Sequence, residues 1–378
     1  MSLAILDARG WQNSCDLKSG AKIPASGPII DLVKGVLQKH PYPGDSDPNS
    51  NRWVSDTALD LIERYRPRFA FLTYAAQYFT SRYAPMDPER RAKMVADLFA
   101  ELERFVRRSG FAAVVVGTGG LTPLAGAIDA TGLDGLVVCH HWSARYAGLY
   151  EPSPSDLEIL AAHPQVERVV PRREVAALFH GTPEQASRVP DYLMVARAGY
   201  TFKGLGNSMK TPVMIPAPSF EVPVSAPGHA VEAITDIRSA LEQDLREQDT
   251  ALIVTEGVAL EEFPWTHRPC RNSLGWYCYE PGGMQHLTIA AGKHRFSDYP
   301  SGYRYFDEIE QNPDFPFSGY FKSIPRDTIG ESFLGRSIAV GNRSMFMHMV
   351  AGADIAVECF ARNLHNQGTM AVIHRQDK

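Results

Sequence analysis

The chain has 378 residues, of which 44% are hydrophobic and 21% are charged, and its formal net charge is −5. This composition is typical of a globular protein with a sizeable core and argues against long disordered segments. The small net charge gives no electrostatic argument for binding to nucleic acid or to an anionic membrane, so we expect neither as a partner.

Signals for targeting and for disulfide formation are weak in this sequence. The apolar run before Asp7 is too short for a signal peptide, and no span reaches the length of a transmembrane helix. The five cysteines are odd in number and include no Cys-x-x-Cys pair, which argues against a disulfide framework or a structural zinc site. The sequence therefore predicts a reduced, cytoplasmic compartment.

Apolar runs and amphipathic segments alternate along the first part of the chain. We predict strands at 3–6, 68–74, 112–116, 135–139, 166–170 and 192–196. We predict helices at 28–38, 55–65, 87–109, 155–163 and 174–179, with a polar loop at 40–52. Because alternating strands and helices form parallel pairs joined by crossover helices, this order indicates an α/β fold with a mostly parallel central sheet flanked by helices.

The second part of the chain has a different pattern. A proline-rich stretch at 211–227 predicts a closing strand and a linker, and a helix at 230–247 and a strand at 251–255 follow. Residues 263–326 are rich in loops and aromatics, and a helix at 345–364 and a strand at 370–374 complete the prediction. We therefore predict an α/β core at 1–227 and a C-terminal α+β region at 228–378, which forms a cap or pocket wall.

The strand predicted at 112–116 runs directly into a glycine-rich loop. The loop reads Gly117-Thr118-Gly119-Gly120-Leu121-Thr122-Pro123. A buried strand that ends in such a loop is typical of the carboxyl edge of an α/β sheet, where ligands bind. The glycines would let backbone amides approach a phosphate, although the loop is neither a P-loop nor a full dinucleotide-binding fingerprint. Thr118 is the candidate substrate-binding residue of this loop.

Several segments, taken in order, resemble the alkaline phosphatase superfamily, particularly its nucleotide pyrophosphatase and phosphonoacetate hydrolase branches. The resemblance spans 52–220 and rests on the segments TALDLIERYRPRFAFLTY, YFTSRYAPMDPERR, VVVGTGGLTPL, AHPQVERVVPRREVAALF and RVPDYLMVARAGYTF. It implies an α/β fold and two-metal hydrolysis of phosphoester or phosphonate substrates.

The positions that match the superfamily's metal ligands carry different residues in this chain. Gln77 and Ser81 match one Asp and His pair, and Thr118 and Gly119 match a second pair, while Asn207 lies near the position of a later His. Neutral side chains lack the anionic charge that holds two divalent cations and lowers the pKa of a bound nucleophile. The sequence therefore predicts a degraded two-metal site, and it leaves open whether the chain uses a divalent metal or no cofactor.

Other residues offer a rearranged set of metal ligands. Asp7 directly follows the first predicted strand, where the resemblance implies a metal-binding Asp. His140 and His141 follow the strand predicted at 135–139, so both are placed at the carboxyl end of the sheet. Arg145 is near them in the sequence and suits an anionic substrate. Asp7, His140 and His141 are thus the metal-ligand candidates, against the alternative that the histidines are surface or strand-capping residues.

The segment 256–295 combines aromatic residues with titratable side chains. Such a loop-rich run is typical of an active-site lid or pocket wall, and also of a cap with a small aromatic core. From it we predict three catalytic residues, Glu256, His267 and His286. The histidines would act as acid or base, and Glu256 as a base or as an orienting group.

The same segment contains two arginines close to a cysteine. Arg268 and Arg271 are predicted to bind an anionic substrate group. They flank Cys270, and their positive charge would lower the pKa of its thiol. The alternative is that Cys270 is an ordinary thiol, since no base is identified for it.

These observations favour a hydrolase-like enzyme that acts on a small anionic substrate, a phosphate, a phosphonate or a carboxylate, on a phosphoesterase-like fold. One alternative is a metal-dependent phosphodiesterase or phosphatase with rearranged ligands. Another is a pseudoenzyme that binds a ligand or a partner protein without catalysis. The sequence leaves open whether the chain forms a homo-oligomer.

Overall fold

The computed structural model describes residues 4–7, 14–15, 22–23, 28–138, 145–174, 190–203, 212–272, 285, 288–289, 292, 336–342 and 355–358. The helices within them are α1 (Pro28–Lys39), α2 (Ser50–Tyr65), α3 (Ala76–Tyr83), α4 (Pro88–Ser109), α5 (Pro154–Ala162) and α6 (Ile237–Glu247), with 3-10 turns at Ile234–Asp236 and Leu260–Glu262. The strands are β1 (Ala4–Asp7), β2 (Ser14–Cys15), β3 (Lys22–Ile23), β4 (Phe69–Tyr74), β5 (Ala112–Gly117), β6 (Leu121–Pro123), β7 (Gly126–Ile128), β8 (Leu136–Val138), β9 (Tyr146–Tyr150), β10 (Val166–Pro171), β11 (Tyr192–Ala196), β12 (Tyr200–Phe202), β13 (Met214–Pro216), β14 (Glu221–Ser225), β15 (Thr250–Thr255), β16 (Arg268–Arg271), β17 (Ser337–Gly341) and β18 (Ile355–Glu358).

Eight of the described strands form a central sheet in the order β1-β18-β17-β4-β15-β5-β14-β16. The first six strands in this order are parallel to their neighbours. The last two are antiparallel, since β14 opposes β5 and β16 opposes β14. This mixed, mostly parallel sheet with flanking helices confirms the predicted α/β fold.

Helices cover both faces of the central sheet. On one face α1, α2 and α4 bury an apolar cluster against alternate strand residues such as Leu72, Ile253 and Val340. On the other face α6 contacts β15 and β5, and its buried Leu241 is not part of that cluster. Every residue of β4 and β15 is buried, because successive side chains of a strand point to opposite faces and both faces are covered.

Strands from both predicted regions share this sheet. β4 and β5 come from residues 1–227, whereas β15, β17 and β18 come from residues 228–378. The described strands of the second region therefore lie within the sheet, beside those of the first. A cap formed by other residues of 228–378 stays a prediction.

A second, antiparallel sheet has the order β10-β11-β9-β8. Its core includes Leu149, Met194 and Phe202, and Leu160 of α5 packs against them. The N-cap residue of α5, Ser153, accepts from a backbone N–H of the first turn, in the capping box that is typical of a helix start.

The strongest sequence patterns give the correct elements. The strands predicted at 68–74, 112–116, 166–170, 192–196 and 251–255 are β4, β5, β10, β11 and β15, with ends that differ by at most one residue. The helix predicted at 87–109 is α4, and Asp87 caps it by accepting from the backbone N–H of Arg90 at 2.8 Å.

The polar loop predicted at 40–52 is shorter than expected. α2 begins at Ser50, not at residue 55, so the predicted start is wrong. Trp53 donates from its indole to the carbonyl of His40 at 2.8 Å, and its ring packs edge-to-face on Tyr42 at 4.8 Å. These tertiary contacts stabilise a first helical turn that the composition of the segment disfavours. The pattern also does not predict α3.

Two predictions in the second region are wrong in part. The helix predicted at 345–364 contains the strand β18, in which Ile355 and Val357 are fully buried. A short apolar run cannot be assigned to helix or strand by periodicity alone. Here the pairing of residues 355–358 with β1 and β17 makes them a strand. The helix predicted from residue 230 begins at Ile237, after a 3-10 turn.

Some predictions lie outside the described residues. They are the helix at 174–179 beyond its first residue, the strand at 370–374 and the remainder of 345–364. None of the helices in the described part of the chain is long and apolar enough to cross a membrane.

Candidate functional site

Four neighbouring parallel strands end side by side at the carboxyl edge of the central sheet. In the order of the sheet they are β17, β4, β15 and β5. Asn342 follows β17, Glu256 follows β15 and Thr118 follows β5, while Gln77 lies three residues beyond the end of β4. Open α/β sheets bind ligands at this edge, so these side chains define the candidate site.

Three buried amide side chains connect the ends of β17, β4 and β15. Asn342 accepts from the backbone N–H that follows β4 at 2.7 Å and donates to Oδ1 of Asn51 at 2.9 Å. Asn51 donates to Oε1 of Gln77 at 3.0 Å. Gln77 donates to the carbonyls of Tyr74 and Glu256, at 2.8 Å each. Since both ends of every amide are hydrogen-bonded, the group fixes the three strand ends relative to one another.

Thr118 and Glu256 form a polar pair at the ends of β5 and β15. The hydroxyl of Thr118 donates to Oε2 of Glu256 at 3.3 Å and accepts from the backbone N–H of Gly257 at 2.8 Å. Glu256 is 1% exposed, whereas Thr118 is half-buried. Burying a carboxylate is costly without hydrogen bonds. The geometry therefore places a buried carboxyl group beside the hydroxyl of a half-buried residue.

The loop after β5 needs glycine because neighbouring protein atoms approach it closely. Gly119 has a φ of +95°, and a Cβ added to it would lie 2.3 Å from Oγ of Ser219. The amides of Thr118 and Gly119 donate to the carbonyls of Thr255 and Val258, at 3.2 Å each. The expectation that this loop presents these amides to a phosphate is therefore wrong, because both are used within the protein.

Gly119→Ala is expected to lower the free energy of unfolding by about 1–3 kcal/mol more than Gly228→Ala does. Both glycines have positive φ, +95° and +82°, so backbone strain is common to the two variants. A Cβ at Gly119 would lie 2.6 Å from Cβ of Ser219, whereas nothing lies within 4 Å at Gly228. Urea unfolding measures the difference, and Ser219→Gly added to Gly119→Ala is expected to recover most of it. Equal losses in the two single variants would contradict the steric explanation.

Arg91 of α4 lies beside Gln77 and Ser81. Its guanidinium donates to both carboxylate oxygens of Glu262, at 2.6 and 2.9 Å, and to the hydroxyl of Ser81 at 3.0 Å. It also donates to the carbonyls of Gln77 and Gly257. The ion pair of Arg91 and Glu262 therefore ties the loop that follows β15 to α3 and α4.

The described residues of this edge do not fit the two-metal site that the resemblance implies. The side-chain oxygens of Gln77 and Ser81 already accept hydrogen bonds, from Asn51 and Arg91 respectively. Among the residues that the structure describes, no three His, Cys, Asp or Glu side chains are grouped so that they could hold a metal ion. The described part of the edge offers hydrogen bonds and the buried carboxylate of Glu256.

Arg268 and Arg271 lie on β16, at the edge of the sheet. Three strand spacings of about 4.8 Å place β16 roughly 14 Å from β15. Arg268 pairs with Val224, whereas Arg271 pairs with Glu221, nearer the carboxyl edge of the parallel strands. Since residues three apart in a strand point to opposite faces, β16 does not bring the two arginines together around one anion.

Cys270, between these arginines, is a buried thiol that donates to the carbonyl of Val231 at 3.2 Å. Burial raises the pKa of the thiol, Asp236 raises it further and Arg268 lowers it, with a net pKa of about 11. The expectation of a lowered pKa is therefore wrong, because desolvation outweighs the charge of Arg268. At neutral pH Cys270 is a protonated, unreactive thiol.

Two other predicted residues make structural contacts away from the strand ends. His267 donates from Nδ1 to the carbonyl of Trp265 at 2.8 Å, and its ring packs edge-to-face on Phe263, part of the core cluster. Arg145 belongs with the second sheet, where it donates to a carbonyl of β11 at 2.7 Å and forms an ion pair with Glu167. The structure therefore brings Thr118 and Glu256 together at the edge, without His267 or Arg145.

The remaining predicted residues are placed by backbone alone or lie outside the described residues. Asp7 is the last residue of β1 and pairs with Glu358, the last residue of β18, so its backbone lies at the carboxyl edge. His140, His141 and His286 lie outside the described residues, as does Asn207. The strand predicted before His140 and His141 is β8, which belongs to the second, antiparallel sheet, so the reason for expecting these histidines at the carboxyl edge of the central sheet is wrong.

The sequence does not single out several residues that shape this edge, among them Asn51, Arg91, Asn342 and Gln285. Asn51 and Asn342 are 291 positions apart and carry no local motif. Gln285 donates to the carbonyl of Thr118 at 3.0 Å. Arg91 does leave a signal, because a cation near the start of a helix opposes the helix dipole and calls for a tertiary partner.

No model of a known protein family matches the sequence, and no curated protein matches it. Two solved structures of phosphonoacetate hydrolase from Sinorhizobium meliloti 1021 are similar to the chain. The structure in complex with phosphonoformate is 19% identical with a TM-score of 0.35, and the alignment covers 49% of this chain and 51% of that chain. The structure in complex with phosphonoacetate is 18% identical, with the same TM-score and coverage. The chain thus spans about half the length of the solved structures that it matches.

Proposed function

We propose that the chain is a hydrolase-like enzyme that acts on a small anionic substrate, a phosphate, a phosphonate or a carboxylate, at the carboxyl edge of the central sheet. Glu256 is the proposed general base, and Thr118 orients its carboxylate and contacts the substrate. The observation that supports this is the buried carboxylate of Glu256, held by the half-buried hydroxyl of Thr118 at the ends of two central parallel strands.

The proposed chemistry is general base catalysis of hydrolysis. Glu256 takes a proton from a water molecule as the water oxygen attacks the phosphorus or carbonyl carbon of the substrate. The bond to the leaving group breaks, the leaving group departs with the bonding electrons, and the proton returns to it from Glu256. A positioned carboxylate contributes about 10²–10⁴-fold to such a step.

Arg271 is the proposed anion-binding residue. Arg271 is exposed and is the last residue of β16, at the end of that strand nearer the carboxyl edge of the parallel strands. Arg268 is the first residue of β16 and lies farther from this edge. A guanidinium suits a phosphate, phosphonate or carboxylate because its planar donors match two oxygens of the anion.

The experiment that tests this proposal is a turnover screen of phosphate esters, phosphonates and carboxylate esters with the purified full chain and its Thr118→Val variant. Valine keeps the shape of threonine but cannot donate to Glu256, so we expect kcat/KM to fall at least about tenfold. Thr118→Ser keeps the donor and is the matched control. Turnover of none of the three classes, or equal kcat/KM for Thr118→Val and the wild type, would refute the proposal.

A second candidate is a metal-dependent hydrolase with ligands drawn from Asp7, His140 and His141. The observation that favours it is the pairing of Asp7 with Glu358, which places two acidic residues side by side at the ends of β1 and β18. Elemental analysis of the natively purified chain decides between the candidates, since one or two equivalents of tightly bound metal would favour the second. Binding of the anion without turnover would instead favour the non-catalytic pseudoenzyme.

A further inference from the structure

Two buried polar side chains, Gln285 and Thr288, are close in sequence, and the first of them contacts the candidate site. Residues 285, 288 and 289 have helical backbone, and the amide of Gly292 donates to the carbonyl of Thr288 at 3.0 Å. Gln285 is 3% exposed and Thr288 is 1% exposed. Gln285 and Thr288 both have helical backbone and are three positions apart, the spacing at which residues of a helix share a face.

The side chain of Gln285 contacts the residue that follows β5. Nε2 of Gln285 donates to the carbonyl of Thr118 at 3.0 Å, so the amide is next to the residue that also binds Glu256. This contact fixes the orientation of the amide, because a carbonyl oxygen only accepts hydrogen bonds and must face the NH₂ group. Oε1 of Gln285 therefore points away from Thr118 as a hydrogen-bond acceptor.

Both side chains have an oxygen that is not hydrogen-bonded within the protein. Oε1 of Gln285 and Oγ1 of Thr288 are buried, and across the described part of the chain neither has a hydrogen-bond partner. Most buried polar atoms are paired, and a buried oxygen without a donor typically costs about 1–3 kcal/mol. Two such oxygens at helical spacing, one of them on a side chain that contacts Thr118, are the pattern of a site that binds a donor group.

We infer that the substrate of the proposed enzyme carries, beside its anionic group, a hydrogen-bond-donating ammonium group that binds Oε1 of Gln285 and Oγ1 of Thr288. This inference rests on the proposed function and specifies its substrate class as zwitterionic. An ammonium has three donors and no acceptor, which matches an amide oxygen that can only accept. Thr118 contacts both Gln285 and Glu256. The negative charge of the Glu256 carboxylate therefore favours a cationic group over a neutral hydroxyl at this position.

The test compares two phosphate monoesters that differ in this group alone. Isothermal titration calorimetry on the full chain measures the affinity for 2-aminoethyl phosphate and for propyl phosphate, in which a methyl group replaces the ammonium. We expect the wild type to bind the amino compound at least about tenfold more tightly, as is typical for a hydrogen-bonded buried charge. In Thr288→Val, which keeps the contact of Gln285 with Thr118, the preference is expected to fall severalfold.

Gln285→Leu is expected to remove the preference, leaving the two affinities within about twofold of each other. Gln248→Leu, at an exposed position after α6, is the matched control and is expected to keep it. Equal affinities of the wild type for the two esters would overturn this inference and leave the proposed hydrolase untouched. Binding of neither ester would overturn it together with the phosphate-ester form of the proposed function. The wild-type comparison needs no variant, so a misfolded variant does not decide the outcome.

Discussion

Glu256→Gln is expected to lower kcat by about 10²–10³-fold on any substrate that the wild type hydrolyses. Glutamine has nearly the same shape as glutamate, and its carbonyl oxygen still accepts from the hydroxyl of Thr118, but it cannot take a proton. The carbonyl of residue 256, which binds Gln77, is unchanged by the substitution. The variant should therefore fold normally, keep its KM within a few-fold and lose turnover.

Steady-state kinetics and thermal unfolding of the same samples check this expectation. Glu261→Gln is the matched control, because Glu261 is an exposed carboxylate of the same loop. A kcat within about threefold of the wild type would show that Glu256 is not the base.

Glu262→Gln is expected to lower the free energy of unfolding by about 1–3 kcal/mol at pH 7, because it removes the negative partner of Arg91. Burial raises the pKa of Glu262, but the hydrogen bond and the positive charge of Arg91 outweigh it, so the net pKa lies below the ordinary 4.5. A carboxyl with a depressed folded-state pKa contributes stability above its unfolded pKa and loses it as pH falls. The difference between variant and wild type should therefore shrink below about pH 4.5 and vanish below the folded-state pKa.

Urea unfolding across this pH range measures the effect. Asp97→Asn is the matched control on α4, because the pair of Asp97 with Lys93 is 65% and 73% exposed, and exposed pairs contribute about 0.5 kcal/mol or less. The side chains of Arg91 and Glu262 are 16% and 25% exposed. If both variants lower the free energy of unfolding by the same amount at pH 7, the ion pair of Arg91 and Glu262 does not stabilise the loop after β15.

The parts of the fold that the sequence predicts well are those whose pattern is local. β4, β5 and β15 are uninterrupted apolar runs bounded by turn signals, and α4 has both an N-cap and an apolar stripe. Where contacts with residues distant in the sequence determine the local structure, the prediction is wrong. α2 begins early because Trp53 contacts Tyr42, and residues 355–358 form a strand because β1 and β17 flank them.

The candidate site is predicted only in pieces for the same reason. The sequence marks Thr118 through its glycine loop and Glu256 through a region dense in titratable groups. It does not pair them, because they are 138 positions apart and meet only when β5 and β15 lie side by side. For Cys270 the sequence leads to a wrong prediction of the thiol pKa. The charges of the nearby arginines can be read from the sequence, whereas the burial that raises the pKa cannot.

The position of β15 between β4 and β5 also sets the order in which the chain can fold. β5 ends at Gly117 and β15 begins at Thr250, so the ribosome makes the two outer strands roughly 7–27 s before the strand that joins them, at 5–20 residues per second. During that interval β4 and β5 each lack β15 as a neighbour and expose an edge of unpaired backbone N–H and C=O groups, the type of surface that invites wrong pairing. A nascent chain that stops short of β15 therefore lacks the strand that joins β4 to β5 in the central sheet.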